Sequence, residues 1–575
     1  MKDLVFRLGG EGGEGVLSTG QLLTLALARA GYEIYTYQTY PAEIKGGHAN
    51  FQVRASSELL LSQGDHPDVL LAFNEEAFQK HYQDLRDDSV VVYDSDAFQP
   101  NGGFKGITYG IPLTSIAIEK IGLKLSKNMV ALGALAGLFG TPLAAMEEVV
   151  RGRFTNKGET ILQKNLEAVR AGFEYAQHSI QKKDSYRLES ATRDKPELVL
   201  SGNDSLALGA MYAGLRLYAG YPITPATDIM EFLAEELLKV GGAVVQTEDE
   251  IAAIGTVLGA SYAGVKAMTA TSGPGLSLMV EFLGLATMAE IPAVIIDVQR
   301  VGPSTGMPTK TEQGDLYLAV YGGHGNCPRV VMALSSVEDC FHGIIRAFNI
   351  AEQFQMPVVV LSDQYLGHRK ATVPKPDTSK IQLIERLHPA PDDLKDYKRY
   401  RLTDSGISPM AIPGMDGGGY VATGLEHSEY GDPAASNHEN HLRMTQKRYQ
   451  KFAAVEPIAN ELVKFYGVEK PAVGIIGWGS SEGVIREAVA MAVKKGYSVG
   501  ALHPKILYPL PMGQLAPFIK QCKRIIIPEV NFTGQFATLL HKRFNRDFLQ
   551  LNKCVGLPFT PLDIFNKIEE VVKTL

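Results

Sequence analysis

The sequence predicts an α/β protein built from three successive α/β domains, and three observations lead to this fold class. The chain begins with a strand-like run, a glycine-rich turn at residues 9–15 and an apolar helical segment that ends near residue 30. Strand-like and helical patterns alternate again between about residues 197 and 363, and they resume from about residue 455. Such alternation favours sheets covered by helices, and a chain of 575 residues is too long for a single core.

The first domain is expected to cover residues 1–180, followed by a linker. Its other strand-like runs lie at residues 33–39, 51–54, 69–73 and 90–93. The apolar run at 129–139 predicts a buried helix. Residues 181–196 are dense in charge and lack apolar periodicity, which predicts the linker.

The second domain is expected at residues 197–365 and the third at 455–575, separated by an extended excursion and linker at 366–454. Strand-like segments of the second domain lie at 243–246, 267–271, 293–298 and 358–361. The excursion is polar and rich in Pro, Gly, Asp and His. Irregular segments of this length are uncommon unless they are functional or pack on a partner.

Charge and cysteine content limit the function. A net charge of −7 argues against a nucleic-acid binder, which needs a basic surface. The four cysteines form no CxxC pair, so we expect no metal site and no iron–sulfur cluster held by this chain alone. Sparse cysteines fit a reducing cytoplasm. The sequence has neither a signal-peptide pattern nor an apolar run long enough for a membrane span.

Two glycine-containing segments of the first domain are candidates for binding phosphate. The turn at 9–15 could present backbone N–H groups at a helix start, but Glu11 and Glu14 would repel a pyrophosphate, which favours a simple tight turn. Lys45 precedes Gly46 and Gly47, and these glycines permit close backbone approach. A phosphate of an acyl carrier could bind there, or the lysine could simply be solvated.

Candidate catalytic residues follow successive strands of the second domain. In the segment YPITP at 221–225, two prolines fix the backbone around the hydroxyl of Thr224. Glu248, Asp249 and Glu250 lie where a strand ends and a helix begins. Acids at this place either interact with the helix dipole or supply one buried carboxyl to a heterocycle nitrogen.

Two later strands end in further polar segments. The segment TSGPG at 271–275 gathers N–H groups and hydroxyls at a helix start, although it could also be a capped turn. The lone Arg300 follows a buried strand and needs an anionic partner. A substrate carboxylate matches the guanidinium, and a structural ion pair is the alternative.

Four segments, taken in their order along the chain, resemble segments of the α subunits of 2-oxoacid:ferredoxin oxidoreductases. They are YPITPATD, EDEIAA, ATSGPG and QRVGPSTGMPTKTEQGD. Residues 1–180 resemble the γ subunit of this family, fused here in front of the α subunit. The resemblance makes the second domain the pyrimidine-binding domain for thiamine diphosphate. The third domain resembles a transketolase C-terminal-type domain. The segments that carry this resemblance are IIGWGSSEGVIREA, LYPLP and IIIPEVNFTGQ.

The resemblance implies roles for matching residues. Glu250 would hydrogen-bond the aminopyrimidine of thiamine diphosphate, with Glu248 as the alternative. Thr224 and Arg300 would hold the carboxylate of the 2-oxoacid. The remaining implied contacts are Pro222 and Ile223 to thiamine diphosphate, and Lys45, Gly46 and Gly47 to coenzyme A.

The resemblance also implies partners. The sequence has no GDG motif followed by paired asparagines, the family pattern for binding the diphosphate through Mg²⁺. A separate β subunit is therefore expected to bring the diphosphate site, Mg²⁺ and a [4Fe-4S] cluster, in an (αβ)₂ assembly that passes electrons to ferredoxin. The implied reaction is the coenzyme A-dependent oxidative decarboxylation of a 2-oxoacid, or its reversal.

Among substrates, the sequence favours 2-oxoglutarate. The insert GLEHSEYGDPAASNHENHLRMTQKR resembles that of two-subunit 2-oxoglutarate enzymes, and it carries His427, His438, His441 and Arg443, which could face a second carboxylate. The histidines could instead belong to a polar packing loop. Pyruvate, branched-chain and aryl 2-oxoacids remain alternatives, as does a non-catalytic assembly subunit.

Overall fold

The computed structural model describes residues 3–41, 46–101, 103–191 and 197–575. Two compact units make up the chain. One contains Met1–Leu200 and Arg369–Pro376, and the other contains Ser201–His368 and Asp377–Leu575. The predicted α/β class is confirmed, with three sheets and covering helices. Among the described residues, every helix is too short or too polar to cross a membrane.

The elements follow one another in an alternating order. Up to residue 201 they are β1 (Asp3–Glu11), α1 (Val16–Arg29), β2 (Glu33–Thr39), β3 (His48–Ser56), β4 (Val69–Ala72), α2 (Glu75–His81), β5 (Val90–Asp94), β6 (Ile107–Ile111), α3 (Leu113–Ser115), α4 (Lys127–Phe139), α5 (Leu143–Phe154), α6 (Glu159–His178) and β7 (Glu197–Ser201). From residue 202 to the excursion they are α7 (Gly202–Tyr212), β8 (Leu217–Gly220), α8 (Thr227–Glu236), β9 (Ala243–Gln246), α9 (Glu250–Tyr262), β10 (Ala267–Thr271), α10 (Gly273–Met288), β11 (Ala293–Gln299), α11 (Leu316–Tyr321), β12 (Val330–Ala333), α12 (Val337–Phe354), β13 (Pro357–Asp363) and α13 (Gln364–His368). The remaining elements are β14 (Lys370–Pro374), α14 (His438–Ala453), α15 (Glu456–Glu461), β15 (Lys464–Gly467), β16 (Val473–Ile476), α16 (Glu482–Lys494), β17 (Val499–His503), β18 (Ile506–Tyr508), α17 (Met512–Gln521), β19 (Arg524–Glu529), α18 (Gln535–Phe544), β20 (Leu549–Asn552) and α19 (Pro561–Val572).

The first sheet has the order β6-β5-β4-β1-β3-β2-β14-β7. The strands from β6 to β1 are parallel, whereas β3 runs antiparallel to both β1 and β2. The predicted buried helix is α4, whose side chains are buried on nearly every face. Two strands join this sheet from segments that the sequence assigned elsewhere: β7 from the expected start of the second domain, and β14 from the excursion.

The second sheet has the order β18-β12-β13-β11-β10-β8-β9. From β12 to β9 all neighbouring strands are parallel. Their carboxyl ends therefore share one edge, where open α/β sheets bind ligands. The segments after β8, β10 and β11, which hold the candidate catalytic residues, are brought to this edge.

The third sheet has the order β15-β17-β16-β19-β20. After β17 the chain leaves this sheet and adds β18 to the second sheet, antiparallel to β12. One apolar core contains residues from the elements around both the second and the third sheet, including Leu276, Leu316, Trp478 and Phe536. These two sheets are therefore packed into one unit.

The excursion is irregular from residue 381 to α14, apart from a short helical turn at Asp393–Asp396, yet several of its charged side chains are buried. The guanidinium of Arg386 pairs with Glu352 at 2.7 Å, and that of Arg399 donates to the backbone oxygen of Glu290 at 2.7 Å. Buried charges are tolerated when they are paired in this way. The polar composition of the excursion thus serves packing within its own unit.

Candidate active site

Arg300 and Thr224 meet at the carboxyl edge of the second sheet. Arg300 follows β11, and its Nη1 donates to the backbone oxygen of Thr224 at 2.7 Å. The arginine is only 8% exposed, and its Nε has no hydrogen-bond acceptor among the described residues. Burial lowers the pKa of Arg300, and the charge of Asp315 opposes that shift. A buried guanidinium with an unused donor is suited to an anionic ligand.

The segment that carries Thr224 is anchored by contacts at the residues that follow Thr224. The buried amide of Asn203 donates to the backbone oxygen of Pro225 at 2.9 Å. His368 lies 3.4 Å from the carboxylate of Asp228, and burial lowers the pKa of His368. Pro222 and Ile223 are half-buried beside Thr224. The loop is therefore anchored at its end, while its tip remains accessible.

The three acids before α9 have different environments. Asp249 is the N-cap, since its carboxylate accepts from the N–H of Ala252 at 2.7 Å. Glu248 is exposed. Glu250 is 6% exposed, and a Cβ placed on Gly275 would lie 2.6 Å from its Oε1. The carboxyl of Glu250 therefore rests against the first turn of α10, at the same sheet edge.

Two further acids at this edge were not singled out in the sequence. Asp297, near the end of β11, is fully buried, and Asp315 precedes α11. Burial, followed by the charge of Asp315, raises the pKa of Asp297 well above its usual range. Burial raises the pKa of Asp315 to about 6. A charged residue within the apolar strand at 293–298 was the available signal for Asp297, and Asp315 closes the quoted motif TKTEQGD.

The segment before Asp315 is fixed by residues that follow β19 of the third sheet. Gln313 donates its N–H to the backbone oxygen of Val530 at 2.7 Å, and Asn531 donates to the backbone oxygen of Gln313 at 3.1 Å. Glu529 accepts the N–H groups of Phe536 and Ala537 at the start of α18. The motif around Glu529 thus holds the turn that supports the site.

Backbone N–H groups of the glycine turn at residues 9–15 donate hydrogen bonds to acceptors within the first unit. The carboxylate of Glu14 accepts the N–H of Glu11 at 2.8 Å, and Gly12 donates to Gly47 at 2.8 Å. An acid thus uses an N–H group that a pyrophosphate would need. Gly46 and Gly47 have φ values of 82° and 76°, a conformation that favours glycine. Lys45 lies outside the described residues.

The structure does not bring together the four basic residues of the insert. The ring of His427 is buried 3.8 Å from that of Tyr400. The other three, on α14, are exposed: His438, His441 and Arg443. His441 bonds to Glu426 at 2.5 Å. These contacts fit a packing loop and lend no geometric support to a second carboxylate site here.

Three family models match successive parts of the chain. One, described as pyruvate flavodoxin/ferredoxin oxidoreductase, thiamine diphosphate-binding, matches residues 208–447. Pyruvate ferredoxin/flavodoxin oxidoreductase matches residues 5–175, and pyruvate:ferredoxin oxidoreductase core domain II matches residues 472–550. Fold and models together define an α/β oxidoreductase with a thiamine diphosphate-binding domain.

Similar proteins narrow this class to a family. The α subunit of 2-oxoacid:ferredoxin oxidoreductase 2 from Aeropyrum pernix is 31% identical over 100% of this chain and 98% of its own length. The 2-oxoglutarate oxidoreductase subunit KorA from Mycobacterium tuberculosis is 33% identical over 97% of this chain and 90% of its own. The chain belongs to the 2-oxoacid:ferredoxin oxidoreductase family, among its α subunits.

A solved structure resembles the whole chain. It is 2-oxoglutarate:ferredoxin oxidoreductase from Magnetococcus marinus with 2-oxoglutarate, coenzyme A and succinyl-CoA bound. Its chain is 44% identical, with a TM-score of 0.95 and coverage of 99% of both chains. The predicted family is confirmed by these comparisons.

Proposed function

We propose that this chain is the α subunit, with a fused γ domain, of a 2-oxoglutarate:ferredoxin oxidoreductase. The reaction is the coenzyme A-dependent oxidative decarboxylation of 2-oxoglutarate to succinyl-CoA and CO₂ with electrons passing to ferredoxin, or the reductive carboxylation that reverses it. The observation that carries the proposal is the buried Arg300, which bonds to Thr224 and keeps one donor unused. Similarity to the Magnetococcus marinus enzyme over 99% of both chains supports the substrate.

The residues at the sheet edge fit the pyrimidine end of thiamine diphosphate. A carboxyl that binds a heterocycle nitrogen must be shielded from water, and Glu250 is 6% exposed while Glu248 is exposed. Pro222 and Ile223 are half-buried beside this position and would line the cofactor. When bound, thiamine diphosphate supplies the nucleophilic carbon that makes decarboxylation of a 2-oxoacid possible.

Each protein group then has a distinct task. Arg300 binds the substrate carboxylate through its guanidinium, and Thr224 orients the same carboxylate through its hydroxyl. Glu250 holds a proton between its carboxyl oxygen and the pyrimidine nitrogen. Because Arg300 and Glu250 are preorganised and largely shielded, the site does not have to reorganise when substrate binds.

The remaining components belong to partners. We infer a β subunit that carries the diphosphate site, Mg²⁺ and a [4Fe-4S] cluster, an (αβ)₂ assembly, and ferredoxin as the electron acceptor. The four free cysteines are scattered, which supports both a cluster on another chain and a reducing cytoplasm. Gly46 and Gly47, next to Lys45, are retained as the proposed contact for coenzyme A.

The experiment uses the complex with its β subunit. Viologen reduction is measured with coenzyme A and a panel of 2-oxoglutarate, pyruvate, branched-chain and aryl 2-oxoacids. We expect the highest kcat/KM with 2-oxoglutarate. A preference for pyruvate would overturn only the substrate. No turnover with any substrate, in a complex loaded with cluster and cofactor, would overturn the catalytic role and favour an assembly subunit.

A further inference from the structure

The first turn of α10 is in contact with two carboxyl groups from different segments. A Cβ on Gly273 would lie 2.7 Å from Oδ2 of Asp315. A Cβ on Gly275 would lie 2.6 Å from Oε1 of Glu250. Neither position can accept a side chain without moving an acid. The two glycines of the GPG sequence therefore allow Asp315 and Glu250 to lie against the same turn of α10.

Asp315 has an acidic neighbour in the sheet. Asp297 is fully buried on β11, where it is the register partner of Thr271 on β10. Neither carboxyl oxygen of Asp297 accepts a hydrogen bond from a described N–H or O–H group. An ionised carboxylate is costly in such a place. Burial, followed by the charge of Asp315, raises the pKa of Asp297 and so favours its protonated form, which can donate a hydrogen bond to Asp315.

The pKa of Asp315 is also raised, to about 6. Burial is the largest cause and the charge of Glu312 adds to it, whereas the hydrogen bond from Asp297 and the charge of Arg300 oppose the shift. Glu250, at the start of α9, lies against the same turn of α10, and the first turn of α10 itself contains no acid. The two carboxyls thus titrate as a coupled pair, and both bind a proton more readily than an isolated carboxyl does.

The two acids also adjoin the catalytic edge through the backbone. The N–H of Asp315 donates to Oε1 of Gln299 at 3.1 Å, immediately before Arg300. On the other side, Oγ1 of Thr271 would lie 2.0 Å from a Cβ on Gly275. One continuous contact path therefore runs from Asp315 through the start of α10 to the carboxyl of Glu250.

We propose that Asp315, next to the buried Asp297, is a positioning residue that fixes the first turn of α10 and thereby the carboxyl of Glu250. The proposal rests on the proposed function, because it assigns Glu250 the contact to the pyrimidine. It assigns unequal roles to the pair. Asp315 lies directly against the turn, whereas Asp297 acts only through Asp315.

The test compares Asp315→Asn with Asp297→Asn in the complex with the β subunit. We expect Asp315→Asn to lower kcat about 10-fold and to change KM for the 2-oxoacid by less than about threefold, because the bond from Arg300 to Thr224 is kept although the charge of Asp315 near Arg300 is lost. Asp297→Asn keeps a neutral donor and is expected to change kcat by less than about twofold. The decrease of kcat as pH falls below about 6 should shift to another pH in Asp315→Asn and stay in place in Asp297→Asn.

A second readout does not depend on turnover. Near-ultraviolet circular dichroism of bound thiamine diphosphate reports the balance between the amino and imino forms of its pyrimidine. This balance should change in Asp315→Asn. Gly273→Ala should change it in the same direction by displacing Asp315, whereas Gly284→Ala, whose Cβ meets nothing within 4 Å, is the matched control on the same helix.

The outcomes separate this proposal from the proposed function. If Glu250→Gln abolishes turnover while Asp315→Asn and Gly273→Ala leave kcat and the dichroism unchanged, only the positioning role is overturned. Equal losses in Asp315→Asn and Asp297→Asn would overturn the unequal roles. If the wild-type complex shows no turnover, the proposed function fails, and the dichroism still tests the contact path.

Discussion

Two regions of the second unit bury charge, and they do so in different ways. Around Glu290, the carboxylate accepts from Lys447 at 2.7 Å and from Lys451 at 2.8 Å. Burial alone would raise the pKa of Glu290, but the charges of Lys447 and Lys451 outweigh it and hold the pKa well below its usual range. The guanidinium of Arg399 lies over the rings of Tyr400 and Tyr420.

At the active-site edge, by contrast, buried groups lack protein partners. Nε of Arg300 and the hydroxyl of Ser272 have none among the described residues, and no described N–H or O–H group donates to either carboxyl oxygen of Asp297. Satisfied buried charge fixes a fold, whereas unsatisfied buried charge is costly and persists where a ligand or proton completes it. The two regions differ most clearly in their carboxyl groups. That of Glu290 is paired with two lysines, whereas no described N–H or O–H group donates to that of Asp297; two donors of Arg399, Nε and Nη1, also lack an acceptor among the described residues.

The largest effect is expected at Glu250. Glu250→Gln removes the proton-accepting group and should lower kcat by about 100-fold or more, while the complex still assembles. Glu248→Gln is the control, because Glu248 is exposed. Turnover is measured by viologen reduction. If Glu248→Gln caused the loss instead, the assignment of the pyrimidine contact would be wrong by two residues.

The largest effect on stability, as distinct from turnover, is expected at Glu290. Glu290→Gln leaves Lys447 and Lys451 buried without their counter-charge, and should lower the free energy of unfolding by about 3–5 kcal/mol. Urea unfolding of the purified complex measures it. Glu236→Gln, from a largely exposed pair with Lys239, should cost less than about 1 kcal/mol. A raised KM with unchanged stability in Glu290→Gln would contradict the contrast between the two regions.

Arg300→Lys tests the substrate clamp. Lysine keeps the charge but loses the planar fork, so KM for the 2-oxoacid should rise about 10- to 100-fold. Steady-state kinetics measure this change. Arg346→Lys, at a half-exposed arginine, is the control. An unchanged KM in Arg300→Lys would indicate that the arginine has only a structural role.

The smallest effect is expected at His503, which belongs to neither region. Burial lowers its pKa from 6.5 to about 4, so it is neutral in the folded protein at pH 7. Between these pKa values the unfolded chain binds more protons, and stability therefore falls as pH falls. We expect a loss of about 1 kcal/mol from His503 between pH 7 and pH 5.5. In His503→Leu the unfolding curves should vary less over this range, and an equal variation would contradict it.

The sequence predicted that Thr224 and Arg300 each follow a strand of the second domain, and the resemblance assigned both to one carboxylate. The carboxyl ends of parallel strands share an edge, and at this edge the structure brings the two residues into contact. The acid pair could not be predicted in this way. Asp297 and Asp315 meet only because the chain from 301 to 314 turns back, and Gln313 fixes that turn on the residues that follow β19.

The sequence also did not predict which sheet β7 joins or that the ring of His427 is buried. β7 has ordinary strand composition, and nothing in it indicates which sheet it joins. His427 has a polar side chain in a polar segment, yet its ring is buried against Tyr400. Both depend on partners distant in the chain, which local pattern does not contain.

The short strand β18 has a consequence for how the protein is made. It covers the outer edge of β12, but it is synthesised long after it. At ordinary translation rates, the edge of β12 waits roughly ten to thirty seconds for its partner. During that time an open, apolar strand edge can pair with other chains. The yield of this subunit should therefore depend on chaperones at the ribosome.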